Sequence, residues 1–206
     1  MVTALRIGVL ASGEGTTLQA ILDACASGEL AARVVAVVSN NSDAGALRRA
    51  REAGARAVHR SSKTHPDPQQ LDRAILDALL EHQVELVMLA GYMKKLGPIL
   101  LEHYRGRIIN THPALLPKFG GHGMYGMRVH EAVLAAGESA SGPSVHLVEA
   151  EYDTGRVLAQ SPVPVLADDT PQTLAARVQE RERRLVVDVL GQIARGALTL
   201  EGLAPR

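Results

Sequence analysis

Hydrophobic residues in the first half of the chain alternate between short continuous runs and stretches with helical periodicity. The continuous runs are typical of strands buried on both faces of a parallel sheet, and they lie at 5–11, 34–38, 57–59 and 84–90. The amphipathic stretches between them predict helices at 17–27, 44–53 and 68–83. Strands spaced by helices indicate βαβ units. We therefore expect a Rossmann-like, mostly parallel, twisted sheet with helices on both faces.

The second half of the chain departs from this alternation. A strand is predicted at 107–110, a glycine-rich loop at 119–126, a helix at 128–136 and two strands at 144–150 and 156–165. Only five residues separate the last two strands, which favours an antiparallel pair. Thr170 and Pro171 are typical of a helix start, and this last helix is expected to run to about residue 194. With no internal repeat and no linker, we expect one α/β domain over 1–206 with an antiparallel C-terminal strand pair.

Composition narrows the classes of partner. The 22 basic and 22 acidic residues give a formal net charge of zero, which disfavours nucleic acid and anionic membranes as partners. Aromatic residues make up 2% of the chain and Trp is absent, so stacking platforms for single strands are lacking. No apolar run approaches the roughly 20 residues of a membrane span, and the chain opens on a strand and not on a signal peptide. Cys25 has no disulfide partner, which fits a reducing compartment. We expect a cytoplasmic protein that acts on small molecules. Its oligomeric state, a homodimer included, stays open.

The leading candidate for chemistry lies where the strand at 107–110 ends. Asn110 and His112 are separated by one residue, so in an extended backbone both side chains leave on the same face. Pro113 and Pro117 restrict the chain that follows. An amide donor beside a base that titrates near neutral pH suits a reaction at a carbonyl centre. The alternative is an Asn that ends a strand and a surface His without a role.

Asp153 lies in the short connection between the two predicted antiparallel strands. If this turn folds back over the strand end, the carboxylate would raise the pKa of His112 and orient its ring. The alternative for Asp153 is the first position of an ordinary turn. No metal site is expected, because HxxxH, HExxH and CxxC spacings are missing from the scattered histidines His103, His112, His122, His130 and His146.

A second candidate follows the first strand, where residues 12–17 (Ser-Gly-Glu-Gly-Thr-Thr) open the first helix. Glycines permit close backbone approach, and the free N–H groups of a helix N-terminus suit a phosphate. A dinucleotide is disfavoured, because Leu18 replaces the third glycine of the fingerprint and the second strand ends in Ser39 and Asn40 without an acidic residue. The segment therefore favours a monophosphate, with an ordinary strand-to-helix turn as the alternative. The charge of Glu14 must point away from any bound anion.

Taken together, these motifs resemble those of the glycinamide ribonucleotide formyltransferases, the folate-dependent enzymes of purine synthesis. The resemblance spans residues 5 to about 190 and rests on Ser12-Gly13-x-Gly15-Thr16, Leu89-Ala90-Gly91-Tyr92-Met93, residues 110–118, Val145-His146 and Tyr152-Asp153-Thr154-Gly155. It implies direct transfer of a formyl group from 10-formyltetrahydrofolate, the co-substrate, to the glycine amine of 5'-phosphoribosylglycinamide. Neither a metal nor a covalent enzyme intermediate is implied.

The resemblance also implies roles for individual residues. His112 matches the catalytic histidine, Asn110 the amide that contacts the formyl oxygen, and Asp153 the carboxylate that supports the histidine. Ribonucleotide binding falls on Gly15, Thr16, Thr17, Gln179, Glu180, Arg181 and Glu182, with Glu182 the best candidate in the last helix. Folate binding falls on Met93, Lys94, Lys95, Leu96, Asn110, Glu149, Ala150, Glu151, Tyr152 and Asp153. For Lys94 and Lys95, a solvated turn is the alternative.

Four departures from the family pattern concern ligand binding. Thr17 stands where many members have Asn, Glu14 adds a charge, and Pro143 stands where Thr or Ala is usual. An arginine that some members carry upstream of the folate pocket has no match at 66–69. The loop at 120–126 resembles a longer variant of a mobile loop, and its glycines suit closure over substrate.

Three alternatives to this function remain. The hydrolase that releases formate from the same folate usually carries an extra N-terminal domain, and the methionyl-tRNA formyltransferases usually carry an extra C-terminal one. Both are disfavoured, because the chain begins at its first strand and ends soon after its last helix. A non-enzymatic nucleotide-binding module predicts that His112→Ala leaves function unchanged.

Overall fold

The apolar runs of the sequence form the strands of a central sheet, and the amphipathic stretches form helices packed on it. The computed structural model describes residues 4–203. Its strands are β1 (Leu5–Leu10), β2 (Ala32–Ser39), β3 (Arg56–His59), β4 (Leu86–Leu89), β5 (Ile108–His112), β6 (Ala140–Ser141), β7 (Ser144–Leu147), β8 (Val157–Gln160) and β9 (Val163–Pro164). Its helices are α1 (Thr16–Ser27), α2 (Gly45–Glu52), α3 (Pro68–Glu81), α4 (Pro98–His103), α5 (Met127–Ala135) and α6 (Pro171–Ala194).

The central sheet has seven strands in the order β3-β2-β1-β4-β5-β7-β8. Strands β1 to β5 are parallel, whereas β7 runs antiparallel to β5 and β8 antiparallel to β7. The Rossmann-like, mostly parallel sheet with an antiparallel C-terminal pair is thus confirmed. Strand order reverses between β1 and β4, and ligands of open α/β sheets bind at the carboxyl ends of the strands beside such a reversal.

Both faces of the sheet are buried, which explains the continuous apolar runs. On one face, Ile7 and Val9 of β1 pack with α1, α2 and α6. On the other face, Leu10 packs with α3 and α4. Gly8 lies under α3, where the space is too small for a side chain: an added Cβ would come within 2.7 Å of Leu79 Cδ2. No helix within residues 4–203 is both long and apolar enough to cross a membrane.

Three local features differ from the sequence-based expectation. The strand expected at 156–165 is two strands, because Pro162 has no N–H for the ladder, and β9 pairs with β6. Helix α4 was not predicted, since six residues are too few to show a period. Its first free N–H groups, those of Ile99 and Leu100, are instead bound by the distant carboxylate of Asp72 at 2.7 and 3.3 Å. Strand β5 continues beyond Asn110 to His112.

Candidate active site

Pairing of β5 with β7 places Asn110 opposite His146, and His112 two residues further along the same face. The Asn110 Nδ2 amide donates to His146 Nε2 at 3.1 Å, and His146 Nδ1 donates to the Leu147 carbonyl at 2.8 Å. His146 is 2% exposed, and both of its ring nitrogens face polar groups of the protein. One hydrogen of the Asn110 amide is thereby held, and the second is left to donate to an oxygen at the sheet edge.

The turn between β7 and β8 does fold back over the end of β5. Asp153 Oδ2 lies 3.4 Å from His112 Nδ1 and accepts from the Gly121 N–H at 2.9 Å. Asp153 Oδ1 lies 3.4 Å from His146 Nε2. The carboxylate thus lies beside both imidazoles. Within residues 4–203, no group of three His, Cys, Asp or Glu side chains is arranged to hold a metal ion.

The second nitrogen of His112 is also occupied. His112 Nε2 donates to the Phe119 carbonyl at 2.7 Å, at the start of the glycine-rich loop. The residue His112 is 3% exposed. Phe119 has φ 56, in the left-handed region, so the carbonyl is presented by an unusual backbone conformation. Both ring nitrogens therefore face oxygen acceptors. A ligand that uses Nε2 must take the place of the Phe119 carbonyl.

The protonation states of this cluster follow from its burial. Burial lowers the pKa of His112, and the charge of Asp153 and the Phe119 carbonyl only partly oppose that effect. Burial alone would raise the pKa of Asp153, but the His146 side chain, His112 and the Gly121 N–H together lower it. The pair is thus a neutral imidazole beside an ionised carboxylate at neutral pH. Such an imidazole can accept a proton, and the carboxylate then stabilises the imidazolium.

The loop after β1 leaves the N-terminus of α1 open. Its N-cap is Gly15, with φ 72 and no side-chain cap, so the first N–H groups of α1 remain available. Gly15 is required here, because a Cβ would lie 2.8 Å from Ala46 in α2. Glu14 is turned toward Gly45, the first residue of α2, so its charge lies at another helix N-terminus. An anion can therefore approach α1 without meeting that carboxylate directly.

Glu182 of α6 reaches the same opening. Its Oε1 accepts from Thr17 Oγ1 at 2.8 Å, and the Thr111 hydroxyl lies close enough to influence the carboxyl. Burial raises the pKa of Glu182, and the two hydroxyls oppose that rise. Thr111 stands between Asn110 and His112 in β5, so this contact ties the α1 opening to the imidazole cluster.

Of the other predicted ribonucleotide residues of α6, Glu180 lines one cavity of about 1010 Å³ together with Thr16. Gln179, Glu180 and Arg181 are exposed, and Glu180 Oε1 accepts from Arg184 at 2.7 Å on the outer surface. Within the predicted ribonucleotide set, the structure brings together the loop from Gly15 to Thr17 and Glu182.

Most of the predicted folate residues line one cavity beside Asn110. This cavity has a volume of about 80 Å³, and its walls include Lys94, Lys95, Leu96, Asn110, His146, Glu149, Ala150, Glu151, Tyr152 and Asp153. Met93 is not among them, and its N–H donates to Ser12 Oγ at 2.8 Å. Small-molecule pockets usually hold about 300–1,000 Å³, so the cavity must widen for a ligand. Lys95 Nζ, on this lining, lies 3.8 Å from Glu151 Oε1 and 5.5 Å from the centre of the Tyr152 ring.

A second cavity, of about 590 Å³, shares the wall formed by Tyr92, Lys94, Lys95 and Leu96. Lys63 and His65 also line it. Pro68, in the segment where the family arginine is missing, lies on its rim at the start of α3. Three lysines and one carboxylate, Asp72, therefore line this cavity.

Several groups of the site have no role in the sequence-based prediction. His146 could have been singled out by register, since it alternates with Ser144 on the face that meets β5. His130 of α5 is 2% exposed, its Nδ1 has no partner within the described chain, and burial, followed by His112, lowers its pKa. The Phe119 carbonyl and the Thr111 hydroxyl have no sequence signal, because their roles depend on the folded backbone.

Comparison with known proteins agrees with this geometry. The formyl transferase family model matches residues 5–190. A chloroplastic phosphoribosylglycinamide formyltransferase of Arabidopsis thaliana is 43% identical over 91% of the chain, although the chain spans only 65% of that protein's length. The phosphoribosylglycinamide formyltransferase of Escherichia coli strain K12 is 38% identical over 95% of the chain and 90% of its own length.

A solved structure extends the likeness to the fold. Glycinamide ribonucleotide transformylase 1 from Symbiobacterium toebii superposes with a TM-score of 0.90 at 39% identity, covering 98% of this chain and 93% of the other. Sequence and fold thus agree over nearly the whole length. The chain belongs to the formyl transferase family, among the phosphoribosylglycinamide formyltransferases.

Proposed function

We propose that this protein transfers the formyl group of 10-formyltetrahydrofolate to the amine of 5'-phosphoribosylglycinamide, giving formylglycinamide ribonucleotide and tetrahydrofolate in purine biosynthesis. One observation carries the proposal. A half-free amide and a neutral imidazole lie at one sheet edge, between an open helix N-terminus and the cavity lined by Lys94 to Leu96. Family membership supports the same reaction.

On the amine side, the α1 N-terminus and its glycine loop suit the phosphate of the ribonucleotide. The Glu182 carboxyl, held by Thr17 and Thr111, is placed to accept from the ribose hydroxyls. A phosphate at α1 and a ribose at Glu182 direct the glycine amine toward Asn110 and His112. We assign Gln179, Glu180 and Arg181 to the outer side of the ribonucleotide site, because Glu180 shares a cavity with Thr16.

On the folate side, we assign the pterin to the cavity formed by Leu96, Asn110 and the segment from Glu149 to Asp153. Backbone groups of that segment suit the polar edge of the pterin ring. The glutamate carboxylates then extend toward Lys94 and the larger cavity that contains Lys63. Widening of the small cavity requires Lys95 to leave Glu151 and Tyr152, an exposed contact of low energy.

The chemical steps balance without an added reagent. The amine nitrogen attacks the formyl carbon and a C–N bond forms. The carbonyl oxygen becomes an oxyanion, which accepts a hydrogen bond from the second N–H of the Asn110 amide. Once substrate displaces the Phe119 carbonyl, His112 takes the Nδ1–H tautomer, with Nδ1 directed at Asp153. Its free Nε2 then accepts the proton lost by the attacking nitrogen, and Asp153 stabilises the resulting imidazolium. The bond between the formyl carbon and N10 of the folate then breaks. N10 takes the proton from His112, which returns to the neutral state.

We place the reaction in the cytoplasm as part of the same proposal. Cys25 is the only cysteine of the sequence and is free. Burial raises the pKa of its thiol, more than the backbone contact with Val34 lowers it, so the thiol stays protonated. A half-buried, unpaired thiol supports a reducing compartment.

A folate-product assay tests the proposal directly. Absorbance is followed with 10-formyltetrahydrofolate in the presence and absence of 5'-phosphoribosylglycinamide. Turnover that requires the amine is the expected result. Equal turnover without the amine would indicate formate release by water, and no turnover in either mixture would exclude both reactions.

A further inference from the structure

A cavity at the opposite edge of the sheet concentrates positive charge. It has a volume of about 610 Å³ and is lined by the guanidinium-bearing residues Arg6, Arg33, Arg51 and Arg56, together with Val35, Gly54, Ala55, Ala57 and His82. No carboxylate belongs to this lining. In a chain whose formal net charge is zero, four arginines around one cavity create a local positive field.

The strand register explains why these side chains meet. Arg6 of β1 and Arg33 of β2 are paired across the parallel ladder, so their side chains leave on the same face of adjacent strands. Val35 follows Arg33 by two residues and shares that face. Arg56 begins β3, the next strand outward, and Arg51 lies in the last turn of α2. Three neighbouring strands and one helix therefore contribute arginine side chains to the same cavity.

Most of this charge has no role in holding the fold. The Arg6 guanidinium donates to the His82 and Gln83 carbonyls at 2.7 and 3.1 Å, so it caps the end of α3. Arg33, Arg51 and Arg56 are exposed. Their side chains make no hydrogen bond or ion pair within residues 4–203. By contrast, Arg177 and Arg184 each pair with a carboxylate.

Two further groups of the cavity region bear on its ligand. His82 Nε2 is buried without a hydrogen-bond partner in the described part of the chain, so a polar group of the cavity is unsatisfied. Glu85 offsets part of the charge, since its Oε2 accepts from the Arg6 backbone N–H at 2.9 Å. With four arginines and one nearby carboxylate, the net charge around the cavity is positive.

The cavity is separate from the candidate active site. Arg6, Arg33 and Arg56 lie at the amino ends of their strands, whereas Asn110 and His112 lie at the carboxyl end of β5. A ligand of this cavity therefore cannot be the phosphate bound at the N-terminus of α1.

We propose that this cavity is a second anion site, which binds a small molecule carrying a di- or triphosphate group. Guanidinium groups match phosphate oxygens in pairs, and several of them converging match several phosphoryl groups. The volume lies within the range of small-molecule pockets. Val35, Ala55 and Ala57 add an apolar wall on which a nucleoside can rest.

Titration calorimetry with inorganic tripolyphosphate and with ATP tests the proposal on the full chain. Both probes are expected to bind, more weakly as salt rises. The double variant Arg33→Gln/Arg56→Gln should weaken tripolyphosphate binding at least tenfold. Tighter binding of ATP than of tripolyphosphate would show that the apolar wall contacts a nucleoside, and equal binding would assign recognition to the phosphates alone; either supports the site.

A matched control separates local from general charge effects. The variant Arg48→Gln/Arg73→Gln removes two exposed, unpaired arginines outside the cavity and should keep the wild-type affinity. Equal affinity of wild type and Arg33→Gln/Arg56→Gln would locate the anion elsewhere and overturn the proposal. So would the absence of binding, or binding of a single-stranded RNA without binding of either small probe. Circular dichroism and retained formyl transfer verify that the variants fold.

Discussion

The two sides of the sheet's carboxyl edge are built in opposite ways. Around His112, the polar groups are side chains that are nearly inaccessible and that bond to one another; His112 and His146 are 3% and 2% exposed. Around α1, the polar groups are backbone N–H groups behind Gly15 and the carboxyl of Glu182, and no side chain caps the helix. The first side is organised before any ligand arrives. The second side is completed by its ligand.

This difference separates the energetic roles of the two sides. Groups fixed in advance around a reacting atom act mainly on the transition state, so their loss lowers kcat. Groups that bind a distant phosphate or ribose act on both ground and transition states, so their loss raises KM. Substitutions on each side should therefore give different kinetic signatures.

The largest effect is expected from His112→Ala. Removing the base should lower kcat by about 10³-fold, within the range for positioned acid–base groups, while the KM for the ribonucleotide stays within about threefold. Steady-state formyl-transfer assays measure both constants. His103→Ala, at an exposed histidine of α4, is the matched control and should keep full activity. A loss of kcat below tenfold would remove His112 from the chemistry.

A smaller loss, with a shift in pH dependence, is expected from Asp153→Asn. We expect kcat to fall on the order of 10²-fold, because the imidazolium loses its counter-charge. Burial lowers the pKa of His112 and the charge of Asp153 raises it, so without that charge the pKa falls further. The acid limb of the kcat/KM profile, where His112 becomes protonated, should therefore move to lower pH. A limb that stays in place or moves to higher pH contradicts the coupling.

On the α1 side, Thr17→Val should act on binding. The variant keeps the side-chain shape and removes the hydroxyl that donates to Glu182 at 2.8 Å. One such bond is worth about 0.5–1.5 kcal/mol, so the KM for the ribonucleotide should rise roughly two- to tenfold with kcat little changed. Thr17→Ser keeps the hydroxyl and should behave as wild type. A fall in kcat with constant KM would erase the distinction between the two sides.

The smallest effect concerns stability as a function of pH. Burial lowers the pKa of His130 and His112 in the folded state, so the unfolded chain binds more protons once the pH falls through about 6.5. The free energy of unfolding should decrease from pH 7.5 to 5.5. Urea titrations should show a shallower decrease in His130→Asn than in wild type. An equal slope in both would mean that His130 titrates normally in the fold.

The sequence predicted the fold and the shared face of Asn110 and His112, because the patterns behind both predictions are local. Continuous apolar runs require burial on both faces, and a one-residue spacing on a strand places Asn110 and His112 together. Helical periodicity also separates Glu182 from Glu180: Val178 is buried, and Glu182 lies four residues later on the same face.

Other features depend on partners that no local pattern contains. Helix α4 is capped by Asp72, 27 residues away from Ile99. The hydrogen bonds of His146 depend on the register between β5 and β7 and on a carbonyl of its own strand. Thr111 looks like a spacer in the sequence, and its hydroxyl comes close to Glu182 only in the folded chain.

The bond from His112 to the Phe119 carbonyl has a consequence for inhibition. In this structure His112 Nε2, the nitrogen that the proposed mechanism assigns to the amine, donates to a peptide oxygen. Reagents that acylate imidazoles should therefore find His112 shielded. Substrate must displace that oxygen, and the loop from Phe119 onward must then move away from the ring. A compound that presents its own carbonyl to Nε2 would compete with the backbone and not with the substrate alone. Its affinity would be governed by the flexibility of the loop as much as by the shape of the pocket.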